Sequence, residues 1–85
     1  MWRVSVAKPA LRNLARFPEF DAARVWAALR EMAQDPFSGD VRKLAEGNYR
    51  RRVGKYRIFF EPYSAIRFVQ VTAIERRTST TYRKR

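Results

Sequence analysis

The sequence predicts an α+β fold: a small antiparallel-rich sheet in the order β-α-α-β-β-β, with an N-terminal helical hairpin packed on one face. Three patterns carry that expectation. Trp2, Val4 and Val6 alternate with Arg3 and Ser5, the period-2 signature of a half-buried strand. Apolar residues then recur at helical spacing as far as Gln34. From Tyr49 onward the chain changes to strand-like runs punctuated by Gly54 and Pro62. The 85 residues make one domain spanning 1–85. A chain of this length buries only about 60% of its unfolded surface, so the core is expected to be small.

The first helix is predicted from Lys8 to Arg16. Pro9 suits its first turn, and Leu11, Leu14 and Ala15 form a stripe. Phe17-Pro18 breaks it, because the residue before proline disfavours the helical region. The second helix is predicted from Glu19 to Gln34. Glu19 and Asp21 sit near its start, where the helix dipole favours negative charge. Ala22, Val25, Trp26, Leu29, Met32 and Ala33 mark its core face, and Asp35-Pro36 ends it. Phe37 to Asn48, rich in Gly and charge, reads as a loop. Three strands follow, at Tyr49–Val53, Tyr56–Glu61 and Ile66–Ile74. Gly54-Lys55 fits a two-residue hairpin between the first two, and Glu61 to Ala65 a looser turn before the last.

Charge separates the two halves of the chain. Residues 1–41 hold 6 basic and 5 acidic side chains, whereas residues 42–85 hold 13 and 3, and these account for +10 of the net +11. A cluster of this kind calls for an anionic partner. The chain has no Cys, which excludes a disulfide framework and a thiol nucleophile. It has no His, the commonest zinc ligand and the commonest general base at neutral pH. Chemistry must therefore come from Arg, Lys, Tyr, Ser/Thr or carboxylates. No apolar run approaches the ~18 residues of a membrane span, so no membrane association and a cytoplasmic location are expected.

Strand alternation sorts the side chains. Tyr56, Ile58 and Phe60 share one face, and Arg57 and Phe59 the other. Regular alternation on the last strand groups Val69, Val71 and Ala73 against Gln70, Thr72, Ile74 and Arg76. If the apolar sets face the helices, Arg50, Arg52, Arg57 and Arg76 gather on the opposite face. Arg51 then falls among core positions, a misfit that would be relieved by snorkelling to a sheet edge or by a bulge. Guanidinium donors match phosphate in pairs, so this face reads as a phosphate cradle. Neither helix is basic enough to enter a major groove, and single-stranded RNA on a sheet with aromatics fits better than duplex DNA.

The chain resembles RelE/ParE-superfamily toxins of toxin–antitoxin pairs over almost its whole length. The resemblance rests on the helical hairpin ending in Asp35-Pro36-Phe37, on Lys43-Leu44 and Gly47, on the run from Tyr49 to Ile58 with its core Arg52-Val53-Gly54-Lys55-Tyr56-Arg57, and on Arg76 followed by Tyr82. It implies a ribosome-dependent endoribonuclease that cleaves mRNA in the A site, with no metal and no cofactor. The family's catalytic positions fall on Arg57, Arg76 and Tyr82, and its RNA-binding positions on Arg50 and Arg52. Lys55, Arg77 and Arg83 add to the expected phosphate-binding set. YoeB-like members use a Glu base and a C-terminal His. Here Arg42 stands about where that Glu would be and His is absent, which leaves the His-free RelE pattern.

The resemblance also implies partners: a cognate antitoxin, the ribosome and its mRNA, and operator DNA bound through the antitoxin. Two alternatives share the same residues. One is a ParE-like inhibitor of DNA gyrase without nuclease activity, the other an inactive module whose basic face only binds an antitoxin.

Overall fold

Alternation and helical stripes become a two-layer structure in the computed structural model, which describes residues 1–77. The elements are β1 (Arg3–Val6), α1 (Lys8–Ala15), α2 (Glu19–Gln34), β2 (Asp40–Ala45), β3 (Asn48–Val53), β4 (Tyr56–Tyr63) and β5 (Phe68–Arg76), with a 3-10 turn at Ser64–Ile66 before the last. The strands form one sheet in the order β1-β5-β4-β3-β2. β1 runs parallel to β5, and the other three pairings are antiparallel. The expected class and helical hairpin are therefore present.

Both helices lie on one face of the sheet. Ala10 and Leu14 of α1 and Val25, Ala28, Leu29 and Met32 of α2 pack on Tyr56, Ile58, Phe60, Val69, Val71 and Ile74. Two hydrogen bonds tie the layers together: the Trp2 N–H donates to the Ala33 carbonyl at 2.7 Å, and the Asn13 side chain donates through Nδ2 to the Ile74 carbonyl at 3.2 Å. The predicted helical stripe is displaced at its rim. Leu11 and Trp26 are 40% and 42% exposed, while Ala28 takes a core place. Leu11 and Trp26 instead border an apolar groove between the helices, with Leu14, Phe17 and Ala22 in its floor. Among the described residues, no helix is long and apolar enough to cross a membrane.

Four expectations are corrected. The segment read as a loop, Phe37 to Asn48, contains β2, which pairs antiparallel with β3 around the Glu46-Gly47 turn. Its side chains are mostly exposed, so it shows no apolar alternation. The turn expected at Pro62 comes later. β4 continues to Tyr63, beyond the end of its β3 pairing at Phe60, where a residue without an N–H is tolerated.

The third correction concerns β5. Its register shifts between Phe59 and Phe60 of the partner strand, leaving Thr72 as an extra residue. Phe60 faces Val71, and Phe59 faces Ala73. Ile74 therefore joins Val69 and Val71 in the core, Ala73 turns away, and Arg76 falls opposite Tyr56 on the helix side. The Thr72 hydroxyl donates to the Phe59 carbonyl at 3.3 Å across the bulge.

The fourth correction is Arg51, which neither snorkels away nor lies in a bulge. It occupies a core-side position opposite Ile58, 8% exposed. Its Nη2 donates to the Glu31 carboxylate and its Nη1 to the Ala28 carbonyl at 3.5 Å, both on α2. A buried guanidinium is tolerated when paired and hydrogen-bonded. The head group also lies against Gly39, where a Cβ would come within 2.9 Å of Cζ.

Candidate functional site

The sheet face turned away from the helices carries the odd set of β4 residues and their cross-strand partners. Facing residues of neighbouring strands share a side of the sheet, so the registers define two rows. One runs Asp40, Arg52, Arg57, Glu75 across β2, β3, β4 and β5. The next runs Arg42, Arg50, Phe59, Ala73 across the same strands. Gly54, at φ +58, and Lys55 close the tight turn that holds β3 and β4 in this register.

Arg50, Arg52 and Arg57 thus come together as expected. Arg52 Nε lies 3.5 Å from Asp40 Oδ2, an ion pair with both groups part-exposed. Arg50 is only 8% exposed, an unusual burial for a surface strand. Its Nη1 and the Nε of Arg57 are buried without a hydrogen-bond partner among the described residues. Burial lowers the Arg50 pKa first, and the charges of Arg52, Arg42 and Arg57 lower it further against the opposing pull of Asp40. These donors are desolvated and crowded, which is the electrostatic setting that favours an arriving anion.

Arg76 does not join this face. It lies at the end of the sheet, on the helix side, opposite Tyr56. Two more of the expected phosphate ligands are at the same corner: the Arg77 N–H donates to the Lys55 carbonyl at 2.6 Å. The Arg24 guanidinium lies across Gly54, with nitrogens 3.2 and 3.3 Å from where a Cβ would stand. Tyr82 and Arg83 lie outside the described residues.

Arg42 is the member that sequence reasoning left out of the site. A signal for it was present in Glu46-Gly47, a two-residue Gly turn like Gly54-Lys55, which would have placed a strand on either side. At the far end of the face, Arg3 sits over the Phe68 ring at 5.7 Å and Tyr63 lies on its other flank, ring centroids 6.0 Å apart. Among the described residues, no three His, Cys, Asp or Glu side chains gather in a metal-binding group.

No protein-family profile matches the chain, and no curated protein does. Solved structures do. The RelBE2 toxin–antitoxin complex from Mycobacterium tuberculosis aligns with TM-score 0.74 and 22% identity, covering 89% of this chain and 98% of that one. The archaeal RelE–RelB complex from Pyrococcus horikoshii aligns with TM-score 0.78 and 23% identity, over 92% and 97% of the two chains. The isolated E. coli RelE toxin aligns with TM-score 0.80 and 12% identity, over 95% and 89%. The chain has the fold of these RelE toxins.

Proposed function

We propose that a chain with the RelE fold and this arginine face acts as the toxin of a type II toxin–antitoxin pair, an endoribonuclease that cleaves mRNA in the ribosomal A site. The observation that carries the proposal is the gathering of Arg50, Arg52 and Arg57 on the exposed sheet face. An antitoxin is the expected partner, because RelE toxins of this fold are found in complex with RelB. Its acidic or apolar segments would mask the basic surface.

The reaction is written as an in-line transfer. The 2′-oxygen of one ribose attacks the adjacent phosphorus, a new P–O bond forms, and the bond to the 5′-oxygen breaks. A 2′,3′-cyclic phosphate and a 5′-hydroxyl result. Arg57 and its cross-strand neighbour Arg52 stabilise the negative charge that builds on the phosphorane oxygens. Arg50, one row away, holds the backbone. Tyr82 is assigned the 2′-OH proton and Arg76 the leaving oxygen, although Arg76 stands at the end of the sheet on the helix side, opposite Tyr56, and not in the row of Arg52 and Arg57.

Tyrosine of pKa ~10 is a weak base at pH 7, and arginine above ~12 a weak acid. Such a set depends on substrate alignment, which supplies about 7–11 kcal/mol when reacting atoms are held in line. The ribosome is the natural source of that alignment, so free RNA is expected to be cut poorly.

Purified protein in a reconstituted translation reaction tests the proposal. Ribosome-bound mRNA should be cleaved to cyclic-phosphate ends, and Arg57→Ala should reduce the rate by roughly 10²–10³-fold, the usual loss for one transition-state donor, with the fold retained. Intact mRNA together with inhibited gyrase supercoiling would sink it in favour of the gyrase-directed alternative.

A further inference from the structure

We propose that Arg42 is a substrate-binding residue which, with Arg50, holds the RNA phosphate next to the scissile one. The proposal rests on reading this face as an RNA site and adds to it a second phosphate position.

The two rows across the face differ in how their charge is balanced. Arg52 and Arg57 are flanked by Asp40 and Glu75, so that row carries a carboxylate at each end. The row of Arg42, Arg50, Phe59 and Ala73 carries two arginines and no acid of its own, and the opposing charge felt at Arg50 comes from Asp40 in the neighbouring row. Like charges directly opposite one another across a ladder repel and destabilise the pairing. Screening by water is weak at Arg50, which is 8% exposed and keeps an unpartnered Nη1 among the described residues. Arg42 is exposed and reaches the same face from β2, where the edge of the sheet leaves it open to a ligand. A phosphodiester supplies what the row lacks: one negative charge and two non-bridging oxygens for two guanidinium forks.

Spacing agrees with this. The rows are two residues apart along each strand, roughly 7 Å, and the Arg42–Arg50 position is also offset by one strand spacing of about 4.8 Å, so the two positions lie roughly 8 Å apart, a span that the long arginine side chains bring to the repeat between successive phosphates of an extended single strand. A phosphate seated between Arg52 and Arg57 puts its neighbour in the strand between Arg42 and Arg50. Phe59, in the same row as Arg50, offers a ring to the intervening base.

The test uses the full chain and a short single-stranded oligoribonucleotide, made uncleavable by one 2′-deoxy substitution. Variants of the oligomer carry a neutral methylphosphonate at each position in turn. Arg42→Ala should weaken binding roughly tenfold at low salt and reduce the slope of log affinity against log salt by about 0.7, one phosphate contact on a single strand. Arg42→Lys should restore most of that slope. One methylphosphonate, adjacent to the scissile position, should weaken wild type to a similar extent and have no further effect on Arg42→Ala. The thermal midpoint of Arg42→Ala should equal or exceed that of wild type, since a repulsion has been removed.

Unchanged affinity and slope in Arg42→Ala, or losses that add for every methylphosphonate, would overturn the assignment while leaving mRNA cleavage intact. The expected pattern in a protein that fails to cleave ribosome-bound mRNA keeps the phosphate position and overturns the nuclease reading. A wild-type chain that binds no RNA overturns both.

Discussion

At the scale of single residues, Tyr56 shows how a core position carries a polar duty. Its ring is 3% exposed and packs on Phe17 at a centroid distance of 4.3 Å, while its hydroxyl donates to Asp21 Oδ2 at 2.7 Å. Burial raises its pKa first, then the hydrogen bond and charge of Asp21, with Arg76 pulling the other way. The folded state thus favours the neutral phenol more than the unfolded chain does. The resulting stability is full below the unfolded value of about 10 and is lost as pH rises through the higher folded value. Urea denaturation at a series of pH values should show a flat plateau followed by an alkaline decline. In Tyr56→Phe the plateau should fall and most of the decline should disappear. An unchanged alkaline limb would assign it to another group. Alternation in the sequence placed the ring correctly, but nothing local marks Asp21, 35 residues away, as its partner. Arg51 was visible as a misfit for the same reason that its solution was hidden. Its acceptors, Ala28 and Glu31, belong to a helix read from its apolar stripe alone.

At the scale of elements, legibility followed burial. α1 and α2 each bury a stripe, and their predicted bounds agree with those observed to within a residue. β2 buries almost nothing, with only Val41 packed against the core, so no periodicity announces it. Its place is set by β3 and by the approach through Gly39. That residue has φ +80, and an added Cβ would meet the Arg51 head group, which the helix holds in place. Gly39→Ala should therefore cost about 2 kcal/mol in chemical denaturation, from backbone strain and displacement of Arg51 together. Hydrogen exchange should quicken first in the β2 amides; a variant as stable as wild type would show that Arg51 yields without loss. The Thr72 bulge has no signature in the sequence, because an inserted residue leaves composition and hydrophobicity unchanged and alters only the parity of the residues after it. It was enough to carry Arg76 from one face of the sheet to the other.

At the scale of the whole molecule, the helices cover one face and leave Arg42, Arg50, Arg52 and Arg57 together on the other, so part of the chain's positive charge is directed. β5 holds this arrangement together. It lies between β1 and β4, so among the described residues the first strand has its sheet neighbour in β5 alone. Removing residues 68–85 should abolish the cooperative unfolding transition in thermal circular dichroism, because β1 and β4 each lose a partner and the core loses Val69, Val71 and Ile74. A truncated chain that still melts cooperatively would contradict this. The same topology has a consequence in time. Strands that pair across a long stretch of chain close late, and here the closing strand leaves the translating ribosome after every other strand of the sheet. Until it emerges, β1 hangs unpaired, and Arg57 lacks the strand that brings Glu75 opposite it. The arginine-bearing strands β2, β3 and β4 are joined by tight turns and emerge before β5, so the basic face is translated ahead of the strand that completes the core beneath it.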